Sequence, residues 1–228
     1  MIRLLLVEDD PDIRAGICAD LKRLDDYRVT EADSAEKALG FGDSFDIILL
    51  DIMLPGRSGL ELCTLLRKRC ACPILFLSAL DDSATIVEAF GCGGDDYVVK
   101  PYDPAILHAR LQANLRRVRM ERQAREGGGL ISCAGWALDT RENVLRRQGC
   151  ADVRLLPIEA RLLAFLMAHE GSCFKARELY REIWGQDDLG NNKTVLVHMH
   201  NLRARVEDIP EQPTHLLNIR GKGYTFHA

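Results

Sequence analysis

Leu4-Leu5-Leu6-Val7-Glu8-Asp9-Asp10-Pro11 opens the chain with the stretch on which the fold turns. Four apolar residues in succession leave no polar alternate, so both faces of this strand must be covered, as in a parallel sheet between two helix layers. Asp10-Pro11 then sets a capping carboxylate before a first-turn proline, and Ile13, Ile17, Leu21 and Leu24 recur at helical spacing. Further apolar runs lie at Phe45 to Leu50, Pro73 to Leu77 and Tyr97 to Val99, with Tyr27 to Glu31 as a weaker one. Ser34, Ser58 and Asp103 are candidate caps for intervening helices, and Leu107, Leu111, Leu115 and Val118 form the buried stripe of the last. Strand and helix in alternation predict a doubly wound α/β sheet of five strands with five helices.

In such a sheet the ligand crevice lies at the carboxyl ends of the strands. Glu8 and Asp9 follow the first strand, Asp51 the third, Ser78 the fourth and Lys100 the fifth, so three carboxylates, a hydroxyl and an ammonium should converge. Clustered carboxylates repel unless a hard cation sits among them, and this oxygen-only set suits Mg²⁺. A carboxylate can itself be the nucleophile that accepts a phosphoryl group, with a metal and a lysine neutralising charge on the equatorial oxygens. Asp51 is then the central residue and Lys100 the counter-charge. Taken singly, each acid reads as an ordinary turn or cap; their common position after strands at one end of the sheet argues for chemistry.

At 228 residues the chain is long enough for two domains, and 47% hydrophobic with 28% charged residues is a globular balance. No apolar run reaches the roughly 18 residues of a membrane span, and Met1 leads straight into a strand, so a cytoplasmic protein is expected. The eight cysteines are scattered without the spacing of a zinc site and are expected to be free thiols. Net charge is -4, unevenly spread: residues 1–119 hold 15 Lys/Arg against 20 Asp/Glu, and residues 130–228 hold 13 against 12. A nucleic-acid surface must therefore be local.

Between these segments, residues 120–129 are polar and end in three glycines, which predicts a flexible linker between domains at 1–119 and 130–228. The second domain reads as short antiparallel strands (Leu130 to Leu138, Val144 to Arg147, Val153 to Leu156), then helices over Pro157 to Glu170, Lys175 to Trp184 and Asn192 to Asp208. The third helix turns Val195, Met199, Leu202 and Val206 to a core. Its other face carries Lys193, Thr194, Val197, His198, Asn201 and Arg205, flanked by Arg203, with no acid from Lys193 to Arg205. A basic, glycine-containing hairpin, Ile219-Arg220-Gly221-Lys222-Gly223-Tyr224, closes the chain. This is an α+β winged-helix pattern.

The blocks Leu6-Val7-Glu8-Asp9-Asp10, Asp51-Ile52-Met53-Leu54-Pro55-Gly56, Leu77-Ser78-Ala79 and Asp95-Asp96-Tyr97-Val98-Val99-Lys100-Pro101 resemble the receiver domain of two-component response regulators. The resemblance implies a flavodoxin-like fold with strand order 2-1-3-4-5. It implies phosphorylation of Asp51 by a sensor histidine kinase, with Glu8, Asp9, Asp51 and the carbonyl of Met53 around Mg²⁺. Lys100 would contact the phosphoryl group and precede a cis peptide to Pro101. Ser78 and Tyr97 would be the switch pair, the hydroxyl closing on the phosphoryl oxygen and the ring following into the vacated space.

From Leu155 to Phe226 the chain resembles the winged-helix effector of the OmpR/PhoB subfamily. That resemblance implies a transcription factor that binds paired half-sites on double-stranded DNA as a dimer and meets RNA polymerase through the loop Gln186 to Asn192; it implies no turnover of an external substrate. Lys193, Thr194 and Arg203 would contact phosphates, and Arg220 a minor groove or phosphate. Val197 would meet a thymine methyl, Asn201 an adenine, and His198 a base edge or phosphate. Asn201 stands where such regulators more often carry arginine. At the expected dimer face, Asp96 and Arg110 remain as a charged pair across the two-fold axis, while Ile86 and Ile106 replace a cation and an acid. Two rival readings are a constitutive DNA-binding module with a vestigial receiver, and a thiol-controlled regulator using Cys63, Cys70, Cys72 and Cys92.

Overall fold

The computed structural model describes residues 1–23, 26–42, 44–125, 129–185 and 193–228, without the side chains of 119–125 and 193. Leu24, expected in the first helix's apolar stripe, lies outside these. The chain forms two compact units, Met1–Val118 and Arg119–Ala228.

In the first unit, β1 (Ile2–Val7), β2 (Tyr27–Ala32), β3 (Ile47–Leu50), β4 (Ile74–Ser78) and β5 (Asp96–Val99) pair in parallel in the order β2-β1-β3-β4-β5. Leu4, Leu5, Leu6 and Val7 are all buried, as are all four residues of β3. Four helices intervene, α1 (Pro11–Lys22), α2 (Ala35–Leu39), α3 (Gly59–Arg67) and α4 (Ser83–Gly91), and α5 (Pro104–Arg125) follows the last strand. The fold is the flavodoxin-like one expected.

Local chemistry sets the helix starts. Asp10 accepts from the amides of Asp12 and Ile13 at 2.9 and 3.0 Å, Ser58 forms a capping box with Glu61, and Asp103 accepts from Ala105 N at 2.7 Å. Ser34 departs from expectation: its side chain makes no cap bond and donates to Asp33 instead. Asp82, not anticipated as a cap, accepts from Thr85 N at 2.9 Å and starts α4. The expected linker is also shortened. Residues 120–125, read from polarity as connector, continue α5 to Arg125. Met, Glu, Arg, Gln and Ala are all good helix formers, and the first breaker is Gly127.

The second unit opens with an antiparallel sheet of β6 (Leu130–Cys133), β7 (Trp136–Asp139), β8 (Val144–Arg147) and β9 (Val153–Arg154). Helices α6 (Pro157–Ala168), α7 (Ala176–Trp184) and α8 (Lys193–Val206) follow, then the hairpin β10 (Leu216–Ile219) and β11 (Gly223–Phe226). One core holds it together, with Leu162, Leu163, Trp184, Leu202 and Phe226 fully buried. Glu207, past the end of α8, accepts from the amides of Thr214, His215 and Leu216 and so fixes where the hairpin leaves.

Gly59 ties this scaffold to the crevice. A Cβ there would lie 1.9 Å from the carbonyl oxygen of Asp51, so α3 can begin under β3 only with glycine. Gly59→Ala should cost at least the ~1–3 kcal/mol typical of overpacking, seen as a lowered urea midpoint; an unchanged midpoint would show that the two backbones are free to part.

Candidate functional site

In the first unit, the carboxyl ends of β1, β3 and β5 bring Glu8, Asp9, Asp51 and Lys100 together. One carboxylate oxygen from each of Glu8, Asp9 and Asp51 lies within 4.8 Å of the others. Glu8 and Asp51 are buried and Asp9 is exposed, so the cluster opens to solvent on one side. Lys100 reaches between the buried pair, its Nζ 2.6 Å from Glu8 Oε2 and 2.6 Å from Asp51 Oδ2. Burial and the neighbouring Asp51 push the Glu8 carboxyl upward against the pull of Lys100. Burial would lower the Lys100 ammonium, but hydrogen bonds to Asp51 and Glu8 outweigh it and hold its pKa above the ordinary value.

Met53 contributes backbone only. Its amide donates to Asp51 Oδ1 at 3.1 Å, while its side chain is 60% exposed beside the site. The peptide from Lys100 to Pro101 is cis. Ser78 ends β4 fully buried, its Oγ accepting from Leu80 N at 3.4 Å. Tyr97 is placed otherwise than a ring waiting outside: it is 1% exposed, packs against Phe76 and Phe90, and donates its hydroxyl to Leu80 O at 2.6 Å. The ring already occupies an inner position in this conformation.

Within the single chain, the charges expected at a dimer face pair with each other. Arg110 Nη1 donates to Asp96 Oδ1 and Oδ2 at 2.8 and 3.0 Å within one chain, with Asp96 0% and Arg110 4% exposed. Ile86 is 4% exposed and belongs to the core; of the four residues, Ile106 alone is half-buried. Helical spacing explains this, since the two residues face β5 and the α4 core rather than solvent. Sequence reasoning also passed over Asp95, which accepts from Arg67 Nη2 at 2.5 Å, Arg117 Nη2 at 2.6 Å and Ile74 N at 2.9 Å. A signal existed: Arg110 and Arg117 lie seven residues apart, on one face of α5, opposite consecutive acids at the start of β5.

In the second unit, the more open side of α8 presents Val197 and Asn201, as read from sequence, together with Leu196, 48% exposed, and His200. The Asn201 Nδ2 is buried with no hydrogen-bond partner among the described residues. Three expectations change. His198 is fully buried, its ring 5.6 Å from that of Trp184, which stacks on Tyr180. Thr194 is 1% exposed. Arg203 turns inward, donating from Nε to Leu216 O at 2.8 Å with its guanidinium 5.9 Å from the Tyr224 ring centre. Each lies on the side of α8 that closes the core, where burial outweighs their polarity. Trp184 is core. Arg220 is exposed in the β10–β11 turn, closed by Lys222 N donating to Ile219 O at 2.9 Å with Gly221 at φ 78°. The Lys193 side chain and the loop 186–192 lie outside the described residues.

The sequence matches the family "Response regulator receiver domain" over residues 4–112 and "Transcriptional regulatory protein, C terminal" over 150–226. It is 37% identical to the transcriptional regulatory protein YrkP of Bacillus subtilis, covering 99% of this chain and 98% of that one. To AfsQ1 of Streptomyces coelicolor it is 37% identical, covering 98% and 97%, and to the sensory transduction protein RegX3 of Mycolicibacterium smegmatis 35%, covering 98% of each. The response regulator DrrB of Thermotoga maritima, an OmpR/PhoB homologue, matches over the whole of both chains with TM-score 0.52 and 28% identity. A receiver that ends in a carboxylate crevice, followed by a winged helix, defines a two-component response regulator. The chain belongs to the OmpR/PhoB-type transcriptional regulators. The acidic cluster is compatible with Mg²⁺, and no helix among the described residues is long and apolar enough to cross a membrane.

The buried charges make a direct prediction. Asp95→Ala would leave Arg67 and Arg117 without their shared carboxylate and should destabilise the receiver by about 3–5 kcal/mol, as broken buried pairs do. Chemical denaturation checks this; a loss under 1 kcal/mol would show that solvent reaches these guanidinium groups.

Proposed function

We propose that Asp51 accepts a phosphoryl group from a sensor histidine kinase, and that this modification controls dimerisation and binding to paired half-sites on DNA. The observation that carries the reading is the convergence of Glu8, Asp9, Asp51 and Lys100 at one end of the sheet. An Asp51 carboxylate oxygen attacks phosphorus; the bond from phosphorus to the kinase imidazole nitrogen breaks, and its electron pair stays on the ring. Glu8, Asp9, Asp51 and the Met53 carbonyl would hold Mg²⁺, which when bound neutralises charge on the phosphoryl oxygens. Lys100, already poised on Asp51, would turn its ammonium to the same oxygens.

Ser78 is the hydroxyl that closes on the phosphoryl group. Tyr97, bonded to Leu80 O, would then stabilise a closed β4–α4 turn that is reached without a long transit of its ring. Dimerisation must use what remains on the surface of α4 and α5, including Ile106, because Arg110, Asp96 and Ile86 are committed internally. An apolar contact can replace an ion pair there at little cost in affinity. RNA polymerase is the expected partner of the DNA-bound form, and cytoplasm its compartment.

Light scattering with Mg²⁺ and beryllofluoride should show a monomer-to-dimer shift that Asp51→Ala and chelation of Mg²⁺ both abolish. A constant mass in wild type would overturn the dimerisation step. On DNA, Val197 would contact a thymine methyl, and Asn201 would turn outward its buried Nδ2, unpaired among the described residues, to donate to adenine while accepting at Oδ1. Asn201→Arg should move preference at that position toward guanine by about 1–3 kcal/mol, read by binding to an operator library; unchanged preference would remove Asn201 from base reading.

A further inference from the structure

We propose that Cys70 and Cys72, in the turn between α3 and β4, form an oxidisable dithiol that closes to a reversible intramolecular disulfide. Their sulfur atoms lie 3.5 Å apart with Cys72 donating to Cys70, and both residues are half-buried, within reach of a small reagent. Among the described residues this is the thiol-to-thiol hydrogen bond of the molecule. The other cysteines sit differently. Cys63 is fully buried and donates to Cys92 O, Cys133 donates to the Glu170 carboxylate, and Cys150 is exposed.

The surroundings make the two members of the pair unequal, Cys72 being the hydrogen-bond donor and Cys70 the acceptor. Arg67, in the last turn of α3, grips the turn by donating from Nη1 to Cys72 O at 2.5 Å, and its charge acts on both Cys70 and Cys72. A thiol donating a hydrogen bond to a neighbouring sulfur keeps its own proton and stabilises negative charge on that neighbour; the hydrogen bond to Cys70 accordingly raises the Cys72 pKa strongly. Burial adds to the rise at Cys72, and it also pushes the Cys63 thiol up to about 12 and the Cys18 thiol up to about 11; among the described residues neither of those two donates to another sulfur.

The chemistry requires a low-molecular-weight disulfide as oxidant. The Cys70 thiolate attacks one sulfur of the oxidant, forming a mixed disulfide and expelling one thiolate. Cys72 then attacks Cys70 Sγ, forming the protein disulfide and expelling the second. Two protein thiols are oxidised, the oxidant is reduced to two thiols, and the two protein protons go to the leaving thiolates. Only Ala71 separates the pair, and so small a ring gains little from loop closure, so the bond should be readily reduced. Because Arg67 links this turn to Asp95, closure would act on the contact that anchors the start of β5.

The full-length protein should be treated with oxidised glutathione, then blocked with iodoacetamide, digested and analysed by mass spectrometry. The expected product is a Cys70–Cys72 disulfide lacking two hydrogens, restored by dithiothreitol, while Cys150 carries only a glutathione adduct. Cys72→Ser should instead trap glutathione on Cys70. Carbamidomethylated Cys70 and Cys72 under conditions that fully modify Cys150, or stable glutathione on Cys70 in the wild type, would overturn the proposal.

Discussion

Lys100 between Glu8 and Asp51 is the interaction on which the receiver's crevice depends. Like charges within 4.8 Å repel by about 3–4 kcal/mol at an effective dielectric of 20, and two of these three carboxylates have little water to screen them. The ammonium relieves that repulsion and fixes Asp51 at the mouth of the sheet. It can do so because β5 lies beside β4 and delivers Lys100 from the far side of the crevice, while Gly59 lets α3 start beneath Asp51. Fold and site are therefore one construction: the strand order makes the crevice, and the residues just past each strand supply its charges.

A second set of charges lies deeper. Asp95 is shared by Arg67 and Arg117, and Asp96 is chelated by Arg110, so α3, β5 and α5 are joined through buried ion pairs. Removing either partner of such a pair strands a charge in a poorly solvated place, which makes the network a constraint on how β5 and α5 can move. It also takes Asp96 and Arg110 out of the pool of surface charges from which a dimer contact could be made.

The winged helix shows the same division between surface and interior. Its helix α8 is amphipathic, but the boundary between faces falls where packing puts it. Thr194, His198 and Arg203 are polar in sequence and go to the core side, with His198 on Trp184 and Arg203 on the hairpin carbonyl of Leu216. Val197 and Asn201 stay toward the open side, joined by Leu196 and His200.

The sequence by itself determined the layer architecture, because runs such as Leu4-Leu5-Leu6-Val7 fit only a strand covered on both faces. It also determined the carboxylate and lysine positions, because strand ends in a doubly wound sheet converge wherever the sheet forms. The extension of α5 through residues 120–125 was legible in helix propensity but hidden by polarity, which suits a linker equally well. Only the tertiary structure decided which polar residues are internal. Asp95, Asp96, Arg110, His198 and Arg203 have charges or hydrogen-bonding groups that read as surface in one dimension. Whether each is paired depends on partners 13 to 28 residues away, whose approach is set by packing rather than by local pattern.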